Sequence, residues 1–404
     1  MKRRDFLLAC TGAALFERAV RAEKYEQAGL PRDVRITRVV GFNVESRRSK
    51  VAGKNSRLDV HGDRATDRML RVYTNTGLEG IGNCRAEREE AEALLGKNPF
   101  DYYQPDHGRM VGPLGSGTMP LWDLLGRAVD KPLHTLLGSG GPERVPVYDG
   151  SLYFADLLPQ YERSWRDRFR EEIDMGQAAG HIAFKVKVGR GAKWMSREEG
   201  DARDRQVLRV IREHGGDEML LGIDANNGYD LEGTKRFFEE VGELNIAFAE
   251  EMFPEVVEEL LELKAFLEDK GFETLIADGE TQGELEVFKP FIAAKAIEIY
   301  QADMNRFGFE GILKEAGWAK EQGLMVAPHN WGSLVGFYMQ LHVGRAITNF
   351  YRAEHDPLSN EILVAEGYDI DGGTATLPQE PGAGITINES KFASDATIRF
   401  DVSA

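Results

Sequence analysis

The chain has 404 residues, of which 42% are hydrophobic and 29% charged, an ordinary globular composition that excludes collagen, coiled coil and general disorder. Its formal net charge of −17 argues against a general nucleic-acid or anionic-membrane binder. The two cysteines, Cys10 and Cys84, say little about redox compartment, and a chain of this length buries a large core without covalent staples.

Residues 2–4 are basic, residues 6–16 form a short apolar run, and Val20-Arg21-Ala22 sets small residues before a possible cut. That is the layout of a secretory signal. Arg3-Arg4-Asp5-Phe6-Leu7 resembles the twin-arginine export motif. Residues 1–22 are therefore expected to send a folded chain to the periplasm; without such a signal the protein would be cytoplasmic. No other stretch is long and apolar enough to span a bilayer.

Residues 34–44 are strand-like, and residues 69–84 read as two strands around Asn75-Thr76-Gly77. Between them, residues 45–64 are polar and too long for an ordinary hairpin loop, so they are expected to form a lid. Its first part holds Arg47, Arg48, Lys50, Lys54 and Arg57 against Glu45. A basic loop on an acidic protein suits an anionic ligand as well as it suits solvent. Residues 118–137 carry helical periodicity, interrupted near Pro132.

From residue 145 a rhythm begins. Short apolar runs recur at 145–151, 182–188, 220–226, 246–251, 274–280, 296–304, 324–330 and 349–356, with stretches of helix length between them. Alternating strand and helix predicts a parallel sheet, and eight strands in one run predict a closed TIM-type barrel. The tail is rich in Gly and Pro, so the last strand is expected to lack its helix, giving (β/α)7β.

Seven of these strands end in polar residues: Lys185 and Lys187, Asp224, Glu250, Glu280, Asp303, His329 and Glu354. Catalytic residues of such barrels stand at the C-terminal ends of different strands. Asp224, Glu250 and Glu280, on consecutive strands, would repel one another unless a hard divalent cation joined them, and an all-oxygen site with room for water suits Mg²⁺. Glu251 rivals Glu250 for this place, since alternation aims only one of them inward. Lys185 and Lys187 share a face, and burial beside a cation is expected to lower their basicity towards that of a general base. Asp303 next to His329 would fix the imidazole tautomer and complete a second acid/base.

The ordered set resembles the enolase superfamily, in its mandelate racemase branch, over roughly residues 34–390. The resemblance rests on KVK at 185–187, Asp224 in IDANNGY, Glu250 in FAEE, Glu280 in ADGE, Asp303 in QADMNRFG, His329 in APHN and Glu354 in YRAEHD. Residues 121–138 resemble that branch's capping helix, and 377–385 its returning tail. The resemblance implies an α+β capping domain over residues 34–143, with 45–64 as its specificity lid. A barrel over 144–360 and a tail, 361–404, returning to the cap would follow. It also implies one Mg²⁺ per site, a small carboxylate substrate held by Lys185, Asn226, Glu354 and the lid arginines Arg47 and Arg48, and a dimer or octamer with no nucleic-acid or membrane partner.

The expected chemistry is abstraction of the α-proton of a carboxylate through an enediolate. Dehydration of an acid sugar to a 2-keto-3-deoxy acid leads. Racemisation or epimerisation of a 2-hydroxy acid uses the same residues, and an exported, non-catalytic carboxylate binder is the alternative of another class.

Overall fold

A computed structural model describes residues 29–404. The export-signal reading of residues 1–22 lies outside the described residues.

The first part of the chain is an antiparallel meander: β1 (Ile36–Ala52), β2 (Gly62–Thr74) and β3 (Glu79–Asn83). One face buries Val39, Phe42, Leu70 and Val72. Helix α1 (Met119–Ala128) lies against β3. It comes close because β3 carries Gly80 and Gly82: a β-carbon at either would collide with Pro120 or Met119.

The expected lid over 45–64 is corrected here. Strand β1 runs on to Ala52 and β2 starts at Gly62, so only residues 53–61 connect them. The alternation is regular, with Glu45, Arg47 and Ser49 outward and Ser46, Arg48 and Lys50 inward. Polar residues on both faces concealed the strand. The inward pair is stable because each cation meets a buried acid, Arg48 on Asp356 at 2.6 Å and Lys50 on Glu172 at 2.8 Å.

The barrel strands are β4 (Val145–Leu152), β5 (Ala183–Lys187), β6 (Leu220–Asp224), β7 (Ile246–Glu250), β8 (Leu275–Asp278), β9 (Ile299–Tyr300), β10 (Met325–Val326) and β11 (Ala353–His355). Each pairs in parallel with the next from β4 to β10. Strand β11 returns parallel to β4, and a parallel Val326–Phe350 bridge closes the ring.

Helices α2 (Trp165–Ala178), α3 (Arg197–Gly215), α4 (Leu231–Val241), α5 (Val257–Lys270), α6 (Lys289–Ala294), α7 (Met304–Glu321) and α8 (Leu334–Ala346) fill the seven crossovers. Tyr148, Ala183, Phe248, Ala277, Ile299 and Ala327 plug the inside of the barrel. Phe184, Val186, Leu221 and Ile223 belong instead to the layer shared with the helices. That alternation sends Lys185 and Lys187 inward from β5.

No barrel helix follows β11. The chain passes to β12 (Leu358–Ser359), which pairs with Arg47 and Arg48 of β1. It then crosses α9 (Glu389–Asp395) and ends in β13 (Thr397–Ser403), also antiparallel to β1. Among the described residues no helix is long and apolar enough to cross a membrane.

Candidate active site

The strand ends bring the inward polar residues to one rim. Strand register sets Lys187 beside Asp224, and Asp224 beside Glu250. Asp224, Glu250 and Glu280 each offer an oxygen within 4.8 Å of the others. Glu251 turns elsewhere, its backbone at φ 42°.

Every acid of this trio meets a cationic side chain. Lys187 donates to Asp224. The Lys185 ammonium lies 2.8 Å from Glu250, 2.7 Å from Glu354 and 3.3 Å from Asp224. His329 Nε2 is 3.2 Å from Glu280, and its Nδ1 is 2.8 Å from Asp303. Asp303 is itself oriented as the N-cap of α7, accepting from the Arg306 N–H at 2.7 Å. The Gln301 amide donates to Glu250 at 2.7 Å, and the Asn330 N–H donates to Glu354 at 2.8 Å. Asn226 donates to both Glu251 (3.2 Å) and Glu280 (3.4 Å).

The electrostatics follow from that pairing. Burial lowers the Lys187 ammonium, but Asp224, Tyr153 and Glu280 more than offset it and raise its pKa. Lys185 is raised in the same way, by Glu250 and Glu354 against burial. The carboxylates facing both lysines thus favour their ammonium forms, and the expected fall in basicity is one that a cation taking up those charges would bring. Burial pushes Glu250 well above the carboxylate range, whereas Lys187 and Lys185 hold Asp224 below it despite burial. Burial opposes a charge on His329, yet Glu280, Asp303 and Glu354 raise it to about 10.

The donor set fits a hard divalent cation. Three carboxylates converge, all donors are oxygen, and the charges now balancing them sit on lysine and histidine side chains that can turn to a substrate.

The lid arginines part company. Arg48 is buried against Asp356, its guanidinium 4.3 Å from the Trp331 ring. Arg47 points to the outer face, where it lines a cavity with Glu45, Ser359 and Asp395, so it is not brought to the site. Sequence reasoning missed the aromatic cover beside Lys187. Tyr153 stacks on Trp331 at 4.5 Å, and its ring lies 5.2 Å from the Lys187 ammonium. His61, on the 53–61 connection, packs edge-on against both rings and accepts from Trp331 Nε1 at 3.1 Å. Ser56 pins that connection by donating to the Ala225 carbonyl at 2.6 Å. The one available signal was Trp331 two residues after His329; a lone histidine in a polar stretch carries none.

Residues 168–391 match the family model described as enolase C-terminal domain-like. Arabinonate dehydratase of Saccharolobus solfataricus is 30% identical over 276 residues, covering 67% of this chain and 69% of that protein. Galacturonate dehydratase from Geobacillus sp., solved with D-galacturonate and 5-keto-4-deoxy-D-galacturonate, superposes with a TM-score of 0.84 at 30% identity, covering 92% of this chain and all of that one. A mandelate racemase/muconate lactonizing protein from Geobacillus sp., solved with magnesium and tartrate, gives a TM-score of 0.86 at 30% identity, covering 93% of this chain and 99% of that one. A closed barrel with its polar residues at the strand ends, a cap built from both ends of the described residues and a match over most of the barrel make one assignment: the chain belongs to the enolase superfamily, in its mandelate racemase/muconate lactonizing branch.

Proposed function

We propose that this protein dehydrates an acid sugar, removing the α-proton of a carboxylate substrate and expelling its β-hydroxyl to leave a 2-keto-3-deoxy acid. One observation carries the reading. Two proton-transfer groups flank the same acid trio, Lys187 at Asp224 and the Asp303-backed His329 at Glu280. The named relatives that are dehydratases of acid sugars support it.

A magnesium ion held by Asp224, Glu250 and Glu280 would supply Lewis-acid charge for an enediolate and would take up the Asp224 charge that now keeps Lys187 protonated. Lys185 contributes a fixed positive charge where the substrate carboxylate becomes most negative. Lys187 receives the α-proton under the cover of Tyr153, which keeps bulk water off the amine. Asp303 holds Nδ1, and Glu280, Asp303 and Glu354 favour the imidazolium, whose Nε2 proton faces the site. It passes to the departing β-hydroxyl, which leaves as water, and the enol so formed ketonises by taking a proton at C3.

Proton NMR in D₂O with Mg²⁺ and pooled mono- and di-acid sugars plus aromatic 2-hydroxy acids tests this. Dehydration removes an α-proton signal and creates a 3-deoxy methylene. Exchange without a new skeleton establishes racemisation or epimerisation by the same two groups instead. His329→Asn is expected to keep Mg²⁺ binding while dehydration falls by about 10² to 10⁴-fold, the usual contribution of one positioned acid. An unaltered rate in that variant removes His329 from the reaction.

A further inference from the structure

A second carboxylate trio stands on the same rim, and it shares no residue with the first. Glu251, Glu255 and Asp278 each offer an oxygen within 4.8 Å of the others. Strand alternation explains the arrangement. Glu250 of β7 and Ala277 of β8 face the barrel interior, so their chain neighbours Glu251 and Asp278 face away from it, towards the connection that carries Glu255 into α5. The two trios stand back to back, and the Asn226 amide touches both, through Glu251 and Glu280.

What balances the two trios differs. Each acid of the first has a lysine or histidine against it. Among the described residues no ion pair engages Glu251, Glu255 or Asp278. Their hydrogen bonds are few: Asp278 accepts from the Gly279 N–H at 2.7 Å, Glu255 from Thr281 Oγ1 at 2.9 Å, and Glu251 Oε2 from Asn226. Glu251 is 1% exposed, and its other oxygen, Oε1, is buried with no partner at all. Buried carboxylates are retained in proteins when they are paired or when they coordinate a metal.

We propose that Glu251, Glu255 and Asp278 hold a second hard divalent cation, of the Mg²⁺ or Ca²⁺ class, beside the active-site trio. The donors are all carboxylate oxygens, with neither nitrogen nor sulfur, which sets zinc and copper aside. Glu251 Oε1 supplies the ligand atom that nothing else engages. The cation ties the connection after β7 to the end of β8. These two segments carry Glu250 and Glu280, so its role is to fix the spacing of the first trio, and it does not touch the substrate.

The test counts bound metal on the full chain. Metal-free protein is dialysed to equilibrium against Mg²⁺, and separately against Ca²⁺, and the retained metal is measured by elemental analysis. Two cations per chain are expected. Asp278→Asn and the milder Glu255→Gln, at a half-buried position, are each expected to lose one. Glu280→Gln is expected to lose the other. With Mn²⁺ as probe, the parent should show a spin-coupled electron paramagnetic resonance signal that Glu255→Gln converts to that of an isolated ion. One cation per chain in the parent overturns the proposal, as does a count that neither Asp278→Asn nor Glu255→Gln changes; the trio then shares protons. If that single cation is lost in Glu280→Gln, the active-site reading stands while this one fails.

Discussion

Arg47 and Arg48 are neighbours in the chain and opposites in the fold. The Arg48 side chain is 2% exposed and grips Asp356 with two nitrogens, at 2.7 and 2.6 Å. Asp356 also accepts from the Gly332 N–H at 3.1 Å, so this pair fastens the turn after His329 to the cap. Arg48→Met would leave a buried carboxylate without its counter-ion, at a cost of about 3–5 kcal/mol. A lower melting temperature is expected, with a fall in kcat/KM as Trp331 and His61 lose their footing. Arg47→Ala, on the outer face, should stay within about 0.5 kcal/mol of the parent and leave kinetics unchanged. Calorimetry and steady-state rates on both variants check this, and equal behaviour of the two would contradict it. The chemistry of the trio, of Lys185 and Lys187 and of the Asp303–His329 pair was legible because each stands at the end of an apolar run. The phase of Arg47 and Arg48 was not, since no apolar residue marks which face of that strand is inward. Lysine basicity was not legible for a related reason: the carboxylates opposite, which outweigh burial, lie on other strands.

Helix α8 shows what an element at the junction of cap and barrel costs in acid. Its N-cap Ser333 donates to Asp67 of β2, and Asp67 also accepts from the Leu334 N–H at 3.0 Å. Further along the helix, His342 is fully buried, stacked on His134 and 2.7 Å from the Tyr368 hydroxyl. Burial, then His134, lowers its pKa from the ordinary 6.5 to about 3. A depressed histidine means that the unfolded chain binds the proton first. Its contribution is fully present above about pH 6.5 and is lost as pH falls towards 3, amounting to about 2 kcal/mol by pH 5. Stability measured by denaturant between pH 8 and 4 should therefore fall less steeply in His342→Gln than in the parent; parallel slopes would deny the histidine this role. His355, also lowered to about 3 by burial and by His181, adds to the parent's slope and leaves the difference between the two proteins intact. The barrel elements could be read because their strands are buried on both sides and appear as apolar runs. The hairpin over 45–64 could not, because the partners of its inward residues, Asp356 and Glu172, lie hundreds or more than a hundred positions away in the chain.

At the scale of the molecule, the two ends of the described chain meet. Strand β13 pairs with the start of β1, Val402 opposite Val39 and Phe400 opposite Gly41, while β12 covers the far end of β1. Gly41 is required there, since a β-carbon would come within 2.5 Å of the Phe400 ring. Just before β13, Phe392 of α9 packs edge-on against Phe42 at 4.9 Å, and the Ala383 N–H reaches Asp123 of α1 at 2.7 Å. The cap therefore completes its core only with β13, whose pairing with β1 joins segments as far apart as Arg38 and Asp401, 363 positions. Such pairings form late, because the loop they close is long. Phe400→Ala is expected to cost about 3 kcal/mol, the usual price of emptying a buried phenylalanine site. Disrupting the exposed Arg38–Asp401 pair by Asp401→Asn should cost well under about 1 kcal/mol. Truncation after Asp395 removes the whole strand and bares one edge of β1, which is a template for pairing between copies. Thermal unfolding followed by light scattering should then show an earlier, concentration-dependent transition, while Mg²⁺ binding at room temperature persists because its carboxylates stand on the barrel strands. If metal binding and cap stability are lost together, the cap and barrel form one cooperative unit, and the tail that closes the cap also holds the active site in register.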